Sequence, residues 1–329
     1  MKIFVNEVDN LLTESLSGFA AAHRDLVSLN LDPHFVTRAN KAKNKVALIS
    51  GGGSGHEPLH TGFVGHGMLD AACPGHVFTS PTPDQMMAAA EAVECGRGVL
   101  FIVKNYAGDV MNFEMAGEMI VCDHATVLTS DDVAVENSTY TTGRRGVAGT
   151  VIVEKVVGSL AETGADLAHC KALGERVNQR TASMGVALTS CTVPAAGRPT
   201  FDIGENELEM GVGIHGEPGR RREPMRPADE IVKDLVTAIL HDLQPVEGSE
   251  VLLMINGFGA TPLMQLYMLY HSASKQLAAH GFKVERSLVG NYTTALDMAG
   301  ASVTVCVLDE EIKRHWDSPV HTAALRWGM

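Results

Sequence analysis

The sequence lacks the features that mark several large classes of protein. Its six cysteines are scattered without a CxxC pair, so neither a zinc ribbon nor a small disulfide framework is indicated. No apolar run reaches the length of a membrane-spanning helix, and the acidic, amphipathic N-terminus does not resemble a secretory signal. These absences predict a reduced, cytoplasmic protein with no membrane partner.

Positive charge is also scarce. The 329 residues contain 26 Lys and Arg against 39 Asp and Glu, a formal net charge of −13. Since proteins bind nucleic acid and anionic membranes through clusters of Lys and Arg, neither is expected as a partner. The chain is rich in hydrophobic residues, 45% of the total, which is enough to bury a large core, and its length suits two domains.

Strand-like and helical segments alternate through the first half of the chain, as they do in a sheet built from βαβ units. Short apolar runs predict buried strands at 45–50 and 99–103. Helical spacing predicts helices at 5–22, 86–93, 110–120, 151–160 and 165–177. We therefore predict an N-terminal α/β domain over residues 1–185.

Turn-forming residues at 194–199 indicate a domain boundary or a crossing between domains. Beyond them, the sequence predicts strands at 207–214, 251–255, 283–289 and 302–308. Helices are predicted at 227–241 and 262–280, each opened by a proline. We assign residues 186–329 to a C-terminal domain.

A glycine-rich segment, residues 51–56, follows the strand predicted at 45–50. Glycine at a strand end lets backbone NH groups approach a ligand, and His56 adds an imidazole at the same edge of the sheet. The segment lacks the third glycine of the GxGxxG dinucleotide motif and the Lys-Ser/Thr pair of the phosphate-binding P-loop. A small-molecule site is therefore expected here, and a nucleotide site is not.

Residues 56–60, His-Glu-Pro-Leu-His, formally match the HExxH motif of zinc proteases. That site needs both histidines on one face of a continuous helix, which Pro58 interrupts because proline lacks the amide NH and clashes with the preceding turn. Pro58 instead suits the first position of a helix, with His56 still in the loop. Zinc hydrolysis stays an alternative that metal analysis would test, and no metal ligand is predicted.

Two further strand ends carry polar side chains. Lys104 and Asp109 follow the strand at 99–103; the lysine suits an ordinary strand end, and the aspartate suits either a helix N-cap or a proton acceptor. His215 lies in a loop of glycine and proline that leaves its ring accessible, either as a nucleophile or base or simply as a solvated side chain. The loops that end two strands of one sheet can converge on one pocket.

Eight sequence blocks, in order from the first helix to the C-terminus, resemble the dihydroxyacetone-binding subunits of dihydroxyacetone kinases. They are GGGSGHEP, FTSPTPDQ, KNYAGDVMNFE, TTGRRGVAGT, CTVPAAGRP, EMGVGIHGEPG, GATPL and WDSPVHTAAL. The resemblance implies an α/β fold: an N-terminal sheet domain with helices on both faces and a smaller C-terminal α+β domain. It also implies a homodimer that binds a three-carbon ketone.

The resemblance further implies that His215 forms a covalent hemiaminal with the carbonyl of dihydroxyacetone. Glycerol has no carbonyl and cannot form this bond, so the site would discriminate by reactivity. The implied substrate contacts are Gly53, Ser54, Gly55, His56, Lys104 and Asp109. Asp109 is then the candidate base for a terminal hydroxyl of the substrate, assisted by His56.

No motif for nucleotide phosphates or Mg²⁺ accompanies these residues, so no cofactor is expected in this chain. In the family that the chain resembles, the nucleotide domain is either fused C-terminally or supplied by another subunit. We expect ADP or ATP and Mg²⁺ on a separate nucleotide-carrying subunit that the phosphotransferase system recharges, because the chain ends directly after its substrate domain. The other function open to this fold is a non-catalytic dihydroxyacetone sensor that acts on a transcription regulator.

Overall fold

The computed structural model describes residues 3–135, 141 and 143–329 as an assembly of strands and helices. The strands are β1 (Val27–Leu31), β2 (His34–Arg38), β3 (Ala47–Ser54), β4 (Gly65–His66), β5 (Ala71–Val77), β6 (Val99–Lys104), β7 (His124–Thr129), β8 (Thr181–Ala187), β9 (Glu207–Met210), β10 (Arg221–Pro224), β11 (Glu250–Gly257), β12 (Lys283–Gly290), β13 (Gly300–Val307), β14 (Val320–Thr322) and β15 (Arg326–Trp327). The α-helices are α1 (Leu11–Ala22), α2 (Pro83–Val93), α3 (Ala107–Met119), α4 (Gly149–Glu162), α5 (Leu167–Gln179), α6 (Ala228–Leu243), α7 (Leu263–Ala279) and α8 (Glu310–Asp317). Short 3-10 helices span Val8–Asn10 and Thr61–Phe63.

The first sheet has the strand order β1-β2-β5-β3-β6-β7, and β5, β3, β6 and β7 run parallel to one another. Alternate side chains of a strand point to opposite faces. Along β3, Ile49 packs into the core formed with α2 and α3, whereas Leu48 packs into the core formed with α1, α4 and α5. Helices therefore cover both faces of this sheet, as predicted.

The second sheet has the order β10-β9-β8-β13-β11-β12 and is mostly antiparallel, with β12 parallel to β11. One face packs on α6 and α7. The boundary predicted at residue 185 falls inside β8, all of which pairs within this second sheet. The division of the chain into two domains itself stays a prediction.

Helix α4 lies between the two sheets. Of its 14 residues, 13 are buried, and its valines share one hydrophobic core with Leu48 of the first sheet and with Leu252 and Met254 of the second. The C-terminal segment also returns to this region: α8 packs on α4, and β14 pairs with β4. The two halves of the chain are thus joined through a common central layer.

The predicted helices and strands are present with shifted ends, but some local details differ from the predictions. β3 continues beyond the predicted strand, through Gly51 to Ser54, because these residues pair with β5. Glycine suits the pairing of Gly51 with Cys73, since a Cβ on Gly51 would lie 2.5 Å from the Cys73 carbonyl oxygen. Of the two roles left open for Asp109, the structure excludes the N-cap, because α3 begins before it at Ala107 and Asp109 lies in the first turn. The strand predicted at 207–214 ends at Met210.

Pro58 does not begin an α-helix, contrary to the prediction. The backbone groups of Gly55 and His56 are instead hydrogen-bonded to a distant segment: Leu296 N donates to Gly55 O at 2.9 Å and Thr294 N to His56 O at 3.2 Å. A turn and the short 3-10 helix Thr61–Phe63 follow. Tertiary pairing therefore decides the conformation of this segment.

The six cysteines are free thiols. Within the described residues, no helix combines the length and the apolar character needed to cross a bilayer.

Candidate functional site

Two histidines from distant parts of the chain face each other. His56 follows β3, and His215 lies in the turn after β9; their Nε2 atoms are 3.0 Å apart and their ring centroids are 4.7 Å apart. His56 is only 1% exposed, whereas 18% of the His215 side chain remains accessible. His215 is therefore the ring of the pair that a small molecule can reach more easily.

The hydrogen-bond partners of the two Nδ1 atoms determine where protons can sit. His56 Nδ1 lies 2.7 Å from the carbonyl oxygen of Thr294, and His215 Nδ1 lies 2.8 Å from Glu217 Oε1. A carbonyl and a carboxylate only accept, so both Nδ1 atoms carry hydrogens and donate them. The contact between the two Nε2 atoms is then a hydrogen bond that holds one shared proton.

Glu217 supports His215 with both carboxylate oxygens. Oε1 accepts from the ring, and Oε2 accepts from the His215 backbone NH at 2.9 Å. Burial by itself would raise the pKa of Glu217, but the charge of His215, its hydrogen bond and the charge of Arg145 lower that pKa to about 2. Gly213 makes room for this carboxylate, since a Cβ there would lie 2.0 Å from Oε2.

Aromatic side chains enclose the histidine pair. Phe78 stacks on His56 with centroids 5.0 Å apart, and Phe78 and Tyr106 meet His215 edge-on at 5.0 and 4.7 Å. Gly55 allows this packing, because at its φ of +104° a Cβ would lie 2.9 Å from the Phe78 ring. Burial, with the nearby charges of His215 and Lys104, lowers the pKa of His56 well below its usual value.

Lys104 and Asp109 form a second buried pair beside the histidines. The Lys104 Nζ donates to Gly51 O at 3.3 Å, to His60 Nε2 at 3.0 Å and to Asp109 Oδ2 at 3.4 Å. Asp109 is 3% exposed, and its place in the first turn of α3 favours a negative charge through the helix dipole. Gly52 leaves room for this ammonium group, since a Cβ there would lie 2.2 Å from the Lys104 Nζ.

The remaining predicted contact residues have structural partners. The Ser54 hydroxyl donates to Gly75 O at 2.7 Å, and the Gly55 NH donates to the Glu57 carboxylate at 3.0 Å. Gly53 packs against the backbone of Phe78 and Thr79. These contacts place the residues beside His56; their contact with substrate stays a prediction.

The sequence did not point to several residues that complete the site: Glu217, Phe78, Tyr106, His60 and Glu154. Glu217 carried a local signal, because a carboxylate two residues after a loop histidine can orient its ring. Tyr106 lies between Lys104 and Asp109, and His60 follows His56 closely in the chain, so these two were within predicted segments. Phe78 and Glu154 come from segments in which no site residue was predicted.

The HExxH match does not form a zinc site. His56 Nε2 faces His215, whereas His60 Nε2 faces Lys104 and its Nδ1 faces Glu154 at 2.6 Å. In the part of the chain that the structure describes, no group of three His, Cys, Asp or Glu side chains is arranged to hold a metal ion.

The mixed α/β fold thus buries a histidine pair close enough to Lys104 for the lysine charge to act on His56. The Dak1 domain family model matches residues 17–324, and the chain belongs to this family. The family resemblance drawn from the eight sequence blocks is thereby confirmed.

Two relatives match the chain over nearly its whole length and theirs. The dihydroxyacetone-binding subunit DhaK of the PEP-dependent dihydroxyacetone kinase of Escherichia coli K12 is 46% identical over 356 aligned positions, covering 100% of both chains. The DhaK subunit of the PTS-dependent dihydroxyacetone kinase 1 of Listeria innocua is 48% identical, covering 94% of this chain and 95% of its own. Both are kinase subunits, as the resemblance predicted.

Solved structures show the same fold. The dihydroxyacetone kinase operon co-activator DhaQ superposes with a TM-score of 0.89 at 31% identity, over 97% of this chain and 98% of that one. The native dihydroxyacetone kinase of C. freundii superposes with a TM-score of 0.88 at 34% identity, over 99% of this chain but 60% of that longer chain.

Proposed function

We propose that this chain is the dihydroxyacetone-binding subunit of a phosphotransferase-system-dependent dihydroxyacetone kinase. It holds the ketone and presents a terminal hydroxyl to a separate nucleotide-carrying subunit. The observation that carries the proposal is the His215 ring, fixed by Glu217 and directed at His56 in a buried site. Support also comes from identities of 46% and 48% to subunits with that name, along nearly the full chain.

The first step is capture of the ketone. His215 Nε2 adds to the carbonyl carbon: a C–N bond forms, the C=O π bond opens, and the oxygen takes the proton shared with His56. The ring nitrogen becomes positively charged, and the ionised Glu217, 2.8 Å from Nδ1, balances that charge. A polyol without a carbonyl cannot be held in this way.

The second step activates the terminal hydroxyl. Asp109 accepts the hydroxyl proton as the oxygen attacks the terminal phosphoryl group of the nucleotide on the other subunit, and His56 assists by hydrogen bonding. The new P–O bond replaces the bond to the nucleoside diphosphate, which stays on that subunit. Lys104, 3.4 Å from Asp109, keeps this carboxylate in place. ADP or ATP and Mg²⁺ belong on the other subunit in this scheme, and the chain itself works in the cytoplasm as a homodimer.

Reconstitution tests the proposal. The purified chain should show no kinase activity with ATP and dihydroxyacetone, and should turn over once a nucleotide-carrying subunit and its phosphoryl donor are added.

Native mass spectrometry should show one dihydroxyacetone bound per chain, and His215→Ala should abolish this adduct. His280→Ala is the control, because His280 is exposed and its Nδ1 bonds to the Gln276 carbonyl oxygen, away from the site. Activity of the single chain with ATP would refute the separate-subunit route, and light scattering would test the dimer.

A sensor is the second candidate, because the co-activator superposes with a TM-score of 0.89. Its identity of 31% is lower than the 46% and 48% of the kinase subunits. A sensor needs only the bond to His215, whereas a kinase also needs Asp109. Capture of dihydroxyacetone without turnover in the presence of any nucleotide-carrying subunit would favour the sensor.

A further inference from the structure

A line of buried polar side chains runs inward from Asp109. Lys104 Nζ is 3.4 Å from Asp109 Oδ2 and 3.0 Å from His60 Nε2, and His60 Nδ1 is 2.6 Å from Glu154 Oε1. Their exposed fractions are 3% for Asp109, 1% for Lys104, 6% for His60 and 0% for Glu154. The line therefore links the candidate base to a carboxyl group on α4, in the central layer of the molecule.

The hydrogen bonds fix the tautomer of His60. An ammonium group only donates, so His60 Nε2 accepts from Lys104 and Nδ1 carries the hydrogen. That hydrogen is donated to Glu154 Oε1, with the Ser50 hydroxyl oxygen 2.9 Å away as a second acceptor. Ser50 cannot reverse the arrangement, because its own hydrogen is donated to Ile102 O at 2.6 Å.

We infer that His60 and Glu154 are positioning residues for the Lys104–Asp109 pair. Glu154 holds His60 in the tautomer whose Nε2 accepts from Lys104, which keeps the Lys104 ammonium beside Asp109. The inference rests on the proposed function in that Asp109 acts as the base; the hydrogen-bond arrangement does not depend on it.

Several chain segments place titratable groups around Lys104. Lys104 is faced by Asp109 from α3, by His60 from the segment after β3 and by Glu154 from α4, and it interacts electrostatically with His56. Burial raises the pKa of Glu154 to about 8, although the charge of Lys104 acts in the opposite direction. Oε2 has no hydrogen-bond partner among the described residues, so it can carry the proton of the neutral acid while Oε1 accepts from His60.

The first experiment compares kcat of Glu154→Gln and Glu154→Leu with wild type, each chain reconstituted with the nucleotide-carrying subunit. The glutamine oxygen can still accept from His60 Nδ1, whereas leucine cannot, so only the leucine variant should release the His60 tautomer. We expect kcat to fall about tenfold or more in Glu154→Leu and less in Glu154→Gln, with capture of dihydroxyacetone unchanged in both. Equal losses of kcat in the two variants, or no loss in either, would overturn the inference.

Glu162→Gln is the matched control, because Glu162 is on the same helix. Its carboxylate pairs with Arg38 at 2.7 Å and with Lys45 at 3.4 Å, away from the line. This variant should lose thermal stability but keep the wild-type kcat.

The second experiment separates position from charge at His60. In His60→Gln the side-chain oxygen can take the place of Nε2 and accept from Lys104, whereas the shorter side chain of His60→Asn cannot. We expect kcat to fall about tenfold or more in His60→Asn, as for loss of a hydrogen bond to a charged group, and less in His60→Gln. Capture of dihydroxyacetone should be unchanged in both. Equal losses of kcat in the two variants would contradict the positioning role.

A third measurement needs no activity. Nitrogen-15 NMR of the isolated chain should show His60 with hydrogen on Nδ1, and the opposite tautomer would overturn the inference. A wild-type chain that shows the expected tautomer but never turns over would count against the proposed function alone.

Discussion

His56 and His215 share a single proton between Nε2 atoms 3.0 Å apart, while each Nδ1 already donates to another group. Burial and the neighbouring positive charges lower the pKa of His56, so its ring holds the shared proton less readily than an ordinary imidazole would. A protonated nitrogen has no lone pair for a carbonyl carbon. Capture of a ketone therefore requires this proton to pass to His56, which then stands ready to protonate the new hydroxyl oxygen.

Capture of dihydroxyacetone should weaken as the pH is lowered. In acid His56 also becomes protonated and can no longer take the proton from His215, so the nucleophile is not released. Since the pKa of His56 is well below its ordinary value of 6.5, the decrease should appear only below pH 6.5. Native mass spectrometry or calorimetry at a series of pH values would measure it, and pH-independent capture would contradict the shared-proton arrangement.

Asp109→Asn should keep capture and lose turnover. The amide cannot accept the hydroxyl proton, so kcat with the nucleotide-carrying subunit should fall by about 100-fold or more. Asp84→Asn is the control, because Asp84 also lies in the first turn of a helix but is exposed. A kcat for Asp109→Asn close to that of wild type would remove Asp109 from the role of base.

Glu217→Gln should change how stability depends on pH in acid. The pKa of Glu217 is lowered to about 2 from its ordinary 4.5, so ionised Glu217 stabilises the folded chain above about pH 4.5 and loses this contribution as the pH falls towards 2. Wild type should therefore exceed the variant in free energy of unfolding at pH 6 by more than at pH 3. Urea unfolding at about these two pH values would show it. A constant difference would mean that Glu217 is not held ionised by His215.

Gly52→Ala should damage the site through Lys104. The new Cβ would lie 2.2 Å from the Lys104 Nζ, which must move away from Asp109. We expect a lower kcat and a loss of about 1–3 kcal/mol in the free energy of unfolding, as for overpacking in a core. Gly18→Ala is the control: nothing lies within 4 Å of its Cβ, and alanine in α1 should be neutral or stabilising by up to about 1 kcal/mol. Unchanged kcat in Gly52→Ala would mean that Lys104 can relocate without consequence.

Apolar runs were enough to predict the strand that carries Lys104 and the strand that precedes His56, and prolines were enough to predict the helices that they open. Both signals are local properties of the sequence. The strands β1, β2 and β5 were missed, since β1 and β2 mix polar residues into a hairpin and β5 contains Pro74 and Gly75. Their pairing is decided by neighbours in the sheet.

The inner half of the site was missed for a related reason. Glu154 and His60 are 94 residues apart, and no spacing rule links them. A signal was nevertheless present: Glu154 and Lys155 lie between the apolar runs 151–153 and 156–157, and charged residues are almost never fully buried unless paired. Such a charge pair is a reason to search the rest of a sequence for partners.

Helix α4 has almost no side in contact with water, since 13 of its 14 residues are buried. A surface helix can exchange residues freely on its outer side, but a substitution in α4 must be accommodated by both sheets together. The helix that carries Glu154 should therefore be the slowest-changing segment among homologues. Random mutagenesis that selects for heat tolerance should also find few permitted replacements there, even at positions remote from His215.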